Sequence, residues 1–314
     1  MDKPDESHYE RVASSMLLGL VTPFLGAGVN LCERPENGKW RPKEEFPSGG
    51  ELARYLAKER GLGYPPHEPK DLLRVSQYFD AVLGELRLYM KLHDLFIATH
   101  PPTKLHLLLA EVAGRLHKSH KPQQLLVTTN YDDALERAFD ANGVEYDLVW
   151  YEAKREARGK FYHRPPGLPP VLIDVPNEYA DFDLDHRPVI LKLHGAIDRA
   201  GVTGDSYVIT EDHYIDYLTD AAIPKLLTER MATSHLLFLG YSLRDWNLRV
   251  VLNRIWREQQ LSLPSWSIQK WVDSVEAKAW RDRGGDIEIF DVSLSEYEVA
   301  LRDALGLAPV GAKA

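Results

Sequence analysis

The sequence predicts an α/β fold: a mostly parallel sheet with helices on both faces. Short β-rich runs alternate with longer helical patterns along the chain, the signature of a parallel sheet whose crossovers lie on its faces. Most of these runs are continuously apolar rather than alternating, as strands buried on both sides must be. The third observation is capacity. A chain of 314 residues with 44% hydrophobic content buries a full core and suits one large domain, or one domain with a sizeable insertion.

The first strand is "LVTPFLG" at 20–26. After it, about residues 31–120 carry helical patterns, including "ELARYLAKER" and "LHLLLAEVAGRLHK", without a strand pattern. This stretch is read as a helical insertion or lid over the sheet. Its segments "RPENGKWRPKEEFPSGG" and "GLGYPPHEPKD" are loops. The second strand, "QLLVTTN" at 124–130, leads into a helix, "YDDALERAFDANG". The Pro-rich stretch "YHRPPGLPPVLIDVPNEYADFDLDHRP" reads as surface or cleft-lining loop. Four more strands follow: "PVILKLHG" at 188–195, "HLLFLG" at 235–240, "SWSIQK" at 265–270 and "DIEIFDV" at 286–292. In the final helix, "EYEVALRDALG", Tyr297, Ala300, Leu301, Ala304 and Leu305 share one face. Gly143 and Gly306 stand where helix C-caps are expected. The chain has no internal repeat or low-complexity tract.

Charge and cysteine usage exclude several function classes. With 38 Lys+Arg against 47 Asp+Glu, the net charge of -9 argues against a surface built to neutralise phosphate backbones, so no direct nucleic-acid partner is expected. The single cysteine, Cys32, rules out an intrachain disulfide and a Cys-x-x-Cys zinc ribbon, and fits a reducing compartment. The apolar segment from Met16 to Val29 follows Asp2, Asp5 and Glu6 and is interrupted by Pro23, unlike a secretion signal. No run is long enough to span a membrane, so a cytoplasmic protein with no membrane partner is expected.

Chemistry concentrates at the strand ends. Gly26-Ala27-Gly28 closes the first strand, where glycines permit a tight turn and let backbone N–H groups approach a pyrophosphate in a Rossmann-like sheet. A dehydrogenase fingerprint needs a third glycine where this chain has Leu31. The phosphate-loop signature Gly-x4-Gly-Lys-Ser/Thr and the zinc-protease signature His-Glu-x-x-His are both absent. The second strand ends in Thr128, Thr129, Asn130, Tyr131 and Asp132, polar groups that suit either a helix cap or a ligand site beyond a strand's carboxyl end. His194-Gly195 ends the third of the strands read here, with a satisfied interior histidine and a strand-tip base as its two readings. Gly240, Tyr241, Ser242 and Asp245 follow the fourth. A serine nucleophile elbow fails there, because its second glycine is Arg244.

Taken in order, Gly-Ala-Gly, Thr-Thr-Asn-Tyr-Asp, Leu-His-Gly and Leu-Gly-Tyr-Ser resemble the Sir2 (sirtuin) superfamily, and specifically its bacterial Sir2-like branch. The resemblance runs from about residue 20 to residue 295. It implies a single Sir2-like NAD-binding domain over 1–310, with a short tail at 311–314. It places Gly26, Ala27 and Gly28 at the NAD pyrophosphate. Asn130 and Asp132 fall by the nicotinamide and its ribose, and His194 becomes the catalytic histidine. Gly240 and Ser242 fall at the adenosine half, with Tyr241 where the family has a small residue. Asn30, Thr129 and Gly195 flank these positions and complete the expected NAD-binding set. Asn30 and the "FPSGGE" turn at 46–51 are candidates to close over the dinucleotide.

One departure from the family pattern redirects the function. Deacetylases of this family carry a four-cysteine zinc ribbon after the His-Gly pair, and here that region is "AIDRAGVTGDSYVITEDHY", which offers no thiolate ligand for zinc. What remains resembles the Sir2-like NAD hydrolases of bacterial antiphage defence. The expected reaction is hydrolysis of NAD+ to nicotinamide and ADP-ribose, with catalytic residues Asn130, Asp132 and His194. The alternatives are a regulatory module that binds NAD or ADP-ribose, and an NAD-dependent protein deacylase, which the missing zinc ligands disfavour. An unregulated hydrolase would exhaust its own cell's NAD. Control is therefore expected, through a homo-oligomer or a partner defence protein such as a HerA-type ATPase.

Overall fold

The computed structural model describes residues 3–35, 38–154, 157–220, 222–241, 263–270, 272, 278 and 287–310. Its centre is a nine-stranded sheet of order β5-β4-β3-β6-β2-β1-β7-β8-β9. The strands are β1 (Val21–Leu25), β2 (Leu125–Thr128), β3 (Asp147–Tyr151), β4 (Phe161–Arg164), β5 (Val171–Ile173), β6 (Val189–Lys192), β7 (His235–Leu239), β8 (Ser265–Gln269) and β9 (Ile287–Asp291). The sheet is parallel from β3 to β9, and only β4 breaks the pattern, antiparallel to both β3 and β5. β1 lies between β2 and β7, with Phe24 level with Val127 on one side and Phe238 on the other. The chain builds outward from β1 toward β2 first and returns to add β7 on the opposite side. That reversal of winding falls at β1, and in sheets of this kind ligands bind in the crevice outside the carboxyl ends of the strands at such a point.

Six of these strands fall within the apolar runs of the sequence, and three do not. The segment from Tyr162 read as irregular contains most of β4 and all of β5. Both are short and flanked by Pro165, Pro166, Pro169 and Pro170. β5 has three residues, with Val171 exposed and only Ile173 buried. An edge strand covered on one side needs no continuous apolar run, so periodicity does not reveal it. β3, "DLVWY", was hidden by the polar "NGVEYD" that leads into it.

The helices are α1 (Glu6–Met16), α2 (Gly28–Leu31), α3 (Gly49–Leu56), α4 (Leu72–Leu83), α5 (Glu85–Phe96), α6 (Lys104–Lys118), α7 (Ala134–Ala141), α8 (Glu211–Asp220), α9 (Lys225–Ala232) and α10 (Leu294–Ala304). One face of the sheet, with Leu126, Ile190, Leu237 and Ile268, packs against α1, α6, α7 and α10 through Met16, Leu109, Phe139 and Leu301. The other face, with Phe24, Val127, Leu191 and Phe238, packs against α8 and α9 through Tyr214, Tyr217, Leu227 and Met231. A third core joins α3, α4 and α5 through Leu56, Phe79, Leu88 and Leu92 and extends to Tyr207 and Ile209. The helical insertion therefore has its own core only in α3–α5, while α6 belongs to the sheet's cover. Its apolar stripe is a core stripe: Leu105, Leu108, Leu109, Val112 and Leu116 are all buried.

Local signals account for most helix ends. Asp71 caps α4 by accepting from the amides of Leu73 and Arg74, and Ser48–Glu51 and Ser293–Glu296 form capping boxes on α3 and α10. The "FPSGGE" turn is thus a helix start, held further by Arg34 donating to both Glu51 oxygens at 2.9 Å. Gly143 and Gly306 follow the C-caps of α7 and α10 with φ of 64° and 61°, as the sequence predicts. The buried face of α10 differs from the expected one. Tyr297, Leu301 and Leu305 are buried, but Ala304 is exposed and Ala300 half-buried. Glu298 and Arg302 take their place, joined at 2.6 Å, with Arg302 also reaching Glu111 at 2.9 Å. Pairing removes the penalty that otherwise keeps charged groups out of a core.

Candidate functional site

Four strand ends meet at the crevice, and backbone contact explains the glycines. The Gly26 amide donates to Leu239 O at 2.9 Å and the Gly28 amide to Gly240 O at 3.0 Å, so the turns after β1 and β7 touch directly. A Cβ on Gly28 would lie 2.7 Å from Gly240 Cα, and one on Gly240 would lie 2.5 Å from Val29 N. Gly240 also has φ of 70°, a region open to glycine at no steric cost. Ala27 sits between these fixed points and is exposed. Ser242, like Arg244 and Asp245, lies outside the described residues.

The loop after β2 is tied to the β1 turn at three points. The Thr128 hydroxyl donates to Leu25 O at 2.8 Å and accepts from the Asn130 amide at 3.0 Å. The Asn130 side chain donates to Gly26 O at 3.2 Å. Asn30, in α2, donates to Asp132 Oδ2 at 2.6 Å, and the other carboxylate oxygen accepts from the Ala134 amide at 3.0 Å. Asp132 therefore caps the start of α7 and also holds the α2 side of the crevice. Thr129 Oγ1 and the Tyr241 hydroxyl lie 3.0 Å apart, linking this loop to the end of β7. Asn130 and Thr129 are half-buried at the rim, whereas Asp132 is 5% exposed.

His194 stands apart from this network. Its ring is 4% exposed and packs edge-on against Tyr214 and Tyr217 of α8, at 5.3 and 5.6 Å between centroids. Burial pushes its pKa down to about 3, so the ring is neutral at physiological pH. Its Nε2 is buried without a hydrogen-bond partner among the described residues, as are ring nitrogens of His8, His100 and His213, so the atom is free to accept a proton. Among the described residues, no hydrogen bond joins this ring to Asn130 or Asp132. The two strand ends are joined by their backbones instead, through the Leu193 amide and Thr128 O at 2.9 Å. Gly195 has φ of 91°, and a Cβ there would lie 2.2 Å from Ser206 O. It lets residues 206–208 lie along 194–196, with Val208 N donating to His194 O and Ser206 N to Ala196 O, both at 2.9 Å.

Sequence reasoning missed the residues that brace these groups. Tyr214 and Tyr217 lie on an acidic helix with no motif to mark them. Thr103 and His106 cap α6 in a buried pair at 2.9 Å, and burial lowers the pKa of His106 to about 4 against the opposing pull of nearby Asp132. Lys192 is fully buried at the end of β6 and pairs with Glu136 at 2.6 Å. One signal was available for it: a lysine inside the apolar run "VILKLHG". Cys32 has no such standing, since burial raises its thiol pKa to about 11 and leaves it unreactive. Among the described residues, no group of three or more His, Cys, Asp and Glu is arranged to hold a metal ion, and no helix is long and apolar enough to cross a membrane.

Comparison with known proteins gives the same grouping. The chain is 26% identical over 253 residues to "Defense-associated sirtuin 2" of Bacillus subtilis, a match that covers 80% of this chain and 21% of that protein. It is 28% identical over 234 residues to "NAD(+) hydrolase ThsA" of Acinetobacter baumannii (strain 532279), covering 74% of this chain and 38% of that protein. The protein of the same name from Cytobacillus dafuensis is 26% identical over 233 residues, again covering 74% of this chain and 37% of its own length. The chain thus spans well under half the length of these relatives. The family model for the SIR2-like domain matches residues 124–287, more than half of the chain and from β2 to the start of β9. With this match and the parallel sheet, the protein belongs to the SIR2-like family.

Proposed function

We propose that the chain is an NAD+ glycohydrolase that releases nicotinamide and ADP-ribose, and that it acts as a toxic effector in antiphage defence. The observation that carries this reading is the neutral, buried His194 with an unpartnered Nε2, beside a β2 loop that presents Asn130 and Asp132. Two of the relatives are named NAD+ hydrolases and the third a defence-associated sirtuin, which supports the same chemistry and setting.

Breaking the bond from nicotinamide to ribose leaves positive charge on the sugar in an oxocarbenium-like transition state. The site then needs neutral or anionic groups near C1′ and an acceptor for the attacking water. Asn130, its amide already oriented by Gly26 O, positions the water and the ribose hydroxyls. Asp132 holds the carboxamide or balances the developing charge. Neutral His194 accepts a proton from water or a ribose hydroxyl through Nε2. Nicotinamide departs as a neutral molecule, so no strong acid is required. The glycine turns after β1 and β7 bear the pyrophosphate, with Ala27 exposed between them.

Two features favour hydrolysis over transfer to an acyl-lysine. The segment after His194-Gly195 lies along its own strand end through Ser206 and Val208. Arg199 then clasps it to the neighbouring elements, bonding the Asp133 carboxylate, Ile97 O and Thr99 Oγ1. An entering peptide has to displace both. His194 is also 4% exposed and packed against Tyr214 and Tyr217 of α8, so a ribose reaches it only when the groups that cover it move. That is where assembly into a homo-oligomer, or a partner protein, is expected to act. The test is turnover: nicotinamide produced from NAD+ without an acyl-lysine peptide supports hydrolysis, and nicotinamide produced only with the peptide supports deacylation.

A further inference from the structure

The apolar interior of β6 contains one charge that the fold does not need. Lys192 has no exposed side-chain surface. It is level with Thr128 of β2 and Trp150 of β3, on the face packed against α6 and α7. Its ammonium donates to the backbone carbonyl of Asp132 and to Glu136 Oε1, the latter at 2.6 Å. Glu136 lies in the first turn of α7 and is itself buried, which raises its pKa. Removing two charges from water is expensive, and apolar residues of similar size in their place often leave a protein as stable or more so. A cation beneath the start of α7 also opposes that helix's dipole. Stability alone therefore gives no reason to keep a lysine here.

Geometry gives one. Lys192 stands two residues before His194, and its ammonium reaches the carbonyl of Asp132, so it links the strand that ends in the histidine to the loop that carries Asn130 and Asp132. From the segment after His194, the Ile197 amide donates to Tyr131 O at 2.9 Å and Arg199 pairs with the Asp133 carboxylate, while the backbone bond from Leu193 to Thr128 O holds the base of the loop. Lys192 is the β6 side chain that reaches Asp132 itself. We propose that Lys192 is a positioning residue for NAD+ hydrolysis: its ammonium fixes the 130–134 loop against β6, and Glu136 balances its charge. This rests on the hydrolase reading above. Lys192 touches no substrate, and it acts through the placement of Asn130 and Asp132.

The test separates positioning from simple burial of charge. In Lys192→Met/Glu136→Leu both charges are gone and the volume is kept, so the thermal midpoint is expected to equal or exceed that of the parent chain. Hydrogen exchange followed by mass spectrometry is expected to show at least tenfold faster exchange of the amides at 130–134, with β1 and β2 unchanged. The kcat for nicotinamide release is expected to fall at least tenfold, with KM within threefold. Glu136→Gln keeps the contact to the Asp132 carbonyl but leaves the ammonium without its counter-charge, so it is expected to lower the thermal midpoint while slow exchange at 130–134 and kcat stay within threefold of the parent. Parent-like exchange at 130–134 in the double variant, or a parent-like kcat, would overturn the proposal. If the parent chain itself releases no nicotinamide, the hydrolase reading fails, and the exchange measurement still decides whether Lys192 fixes the loop. If the double variant does not fold, Lys192→Met/Glu136→Gln, which likewise lacks a donor to the Asp132 carbonyl, gives the same two readings.

Discussion

Asn30 donates to the carboxylate of Asp132 at 2.6 Å across 102 residues of sequence, closing the crevice between the first turn and the end of the second strand. A hydrogen bond to a charged group contributes about 1.5–3 kcal/mol. Asn30→Ala is expected to lower stability by about 1–2 kcal/mol, since Asp132 keeps its bond from Ala134. It is also expected to slow NAD+ cleavage by about tenfold, each tenfold being about 1.4 kcal/mol of barrier. Asn30→Asp places a second carboxylate beside the first and is expected to cost more in both respects. Thermal melts and nicotinamide release measure the two effects, and a parent-like rate in Asn30→Asp would show that Asp132 has no part in the chemistry.

The contact between Gly28 and Gly240 predicts a non-additive pair. Either glycine mutated to alanine puts a Cβ within 3 Å of the other turn's backbone, and Gly240→Ala adds the strain of φ at 70°. Each substitution is expected to cost about 2–4 kcal/mol. Once the turns have separated, the second methyl meets less resistance, so the double variant is expected to cost at least about 0.5 kcal/mol less than the sum. Urea denaturation of the four proteins in the cycle checks this. Strict additivity would mean that the turns do not share the strain.

Stability is expected to fall on acidification. His8, His106 and His194 have pKa values lowered by burial to about 4, 4 and 3, from an ordinary 6.5. Between the unfolded and folded values, the unfolded chain binds the proton and the folded chain does not, so unfolding takes up protons. The stability these groups provide is fully present above about pH 6.5 and is lost as the pH falls from there toward 4. The slope is about 1.4 kcal/mol per pH unit for each fully buried histidine. His106→Asn and His194→Asn are expected to flatten the curve between pH 6.5 and 4, measured by thermal midpoint against pH. Unchanged slopes would mean that these rings titrate normally in the folded chain.

Much of this arrangement was legible in the sequence because buried parallel strands and their ligand sites leave local marks. Six apolar runs became strands, and of the residues picked out at their ends the structure links Gly26, Asn30, Thr129, Asn130, Asp132 and Tyr241 by hydrogen bonds, with His194 buried apart and Ser242 outside the described residues. What the motifs left hidden is equally physical. Gly26 and Gly28 read as a dinucleotide turn and Gly240 as a residue of the adenosine half, yet in the folded chain all three make contact between the β1 and β7 turns, which no local pattern encodes. β4 and the edge strand β5 lacked an apolar run because their side chains are not buried on both faces. Tyr214 and Tyr217 reach His194 from a helix whose sequence distance from it carries no signal. Lys192 did carry one, as a charge within an apolar strand, but its partners Glu136 and the Asp132 carbonyl become visible only once β6 and α7 are packed together.

If His194 and Asn130 cut NAD+ rather than merely hold it, both products must form. The most direct measurement is nicotinamide and ADP-ribose formation from NAD+ by the full chain, assayed with and without the protein encoded beside it, together with Asn130→Ala and His194→Ala. Equal amounts of the two products are expected in at least one of those conditions, with a loss of at least about a hundredfold in each variant, about 2.7 kcal/mol of barrier. NAD+ that binds in the crevice yet stays intact under both conditions, or variants that turn over at the parent rate, would contradict cleavage by these two residues.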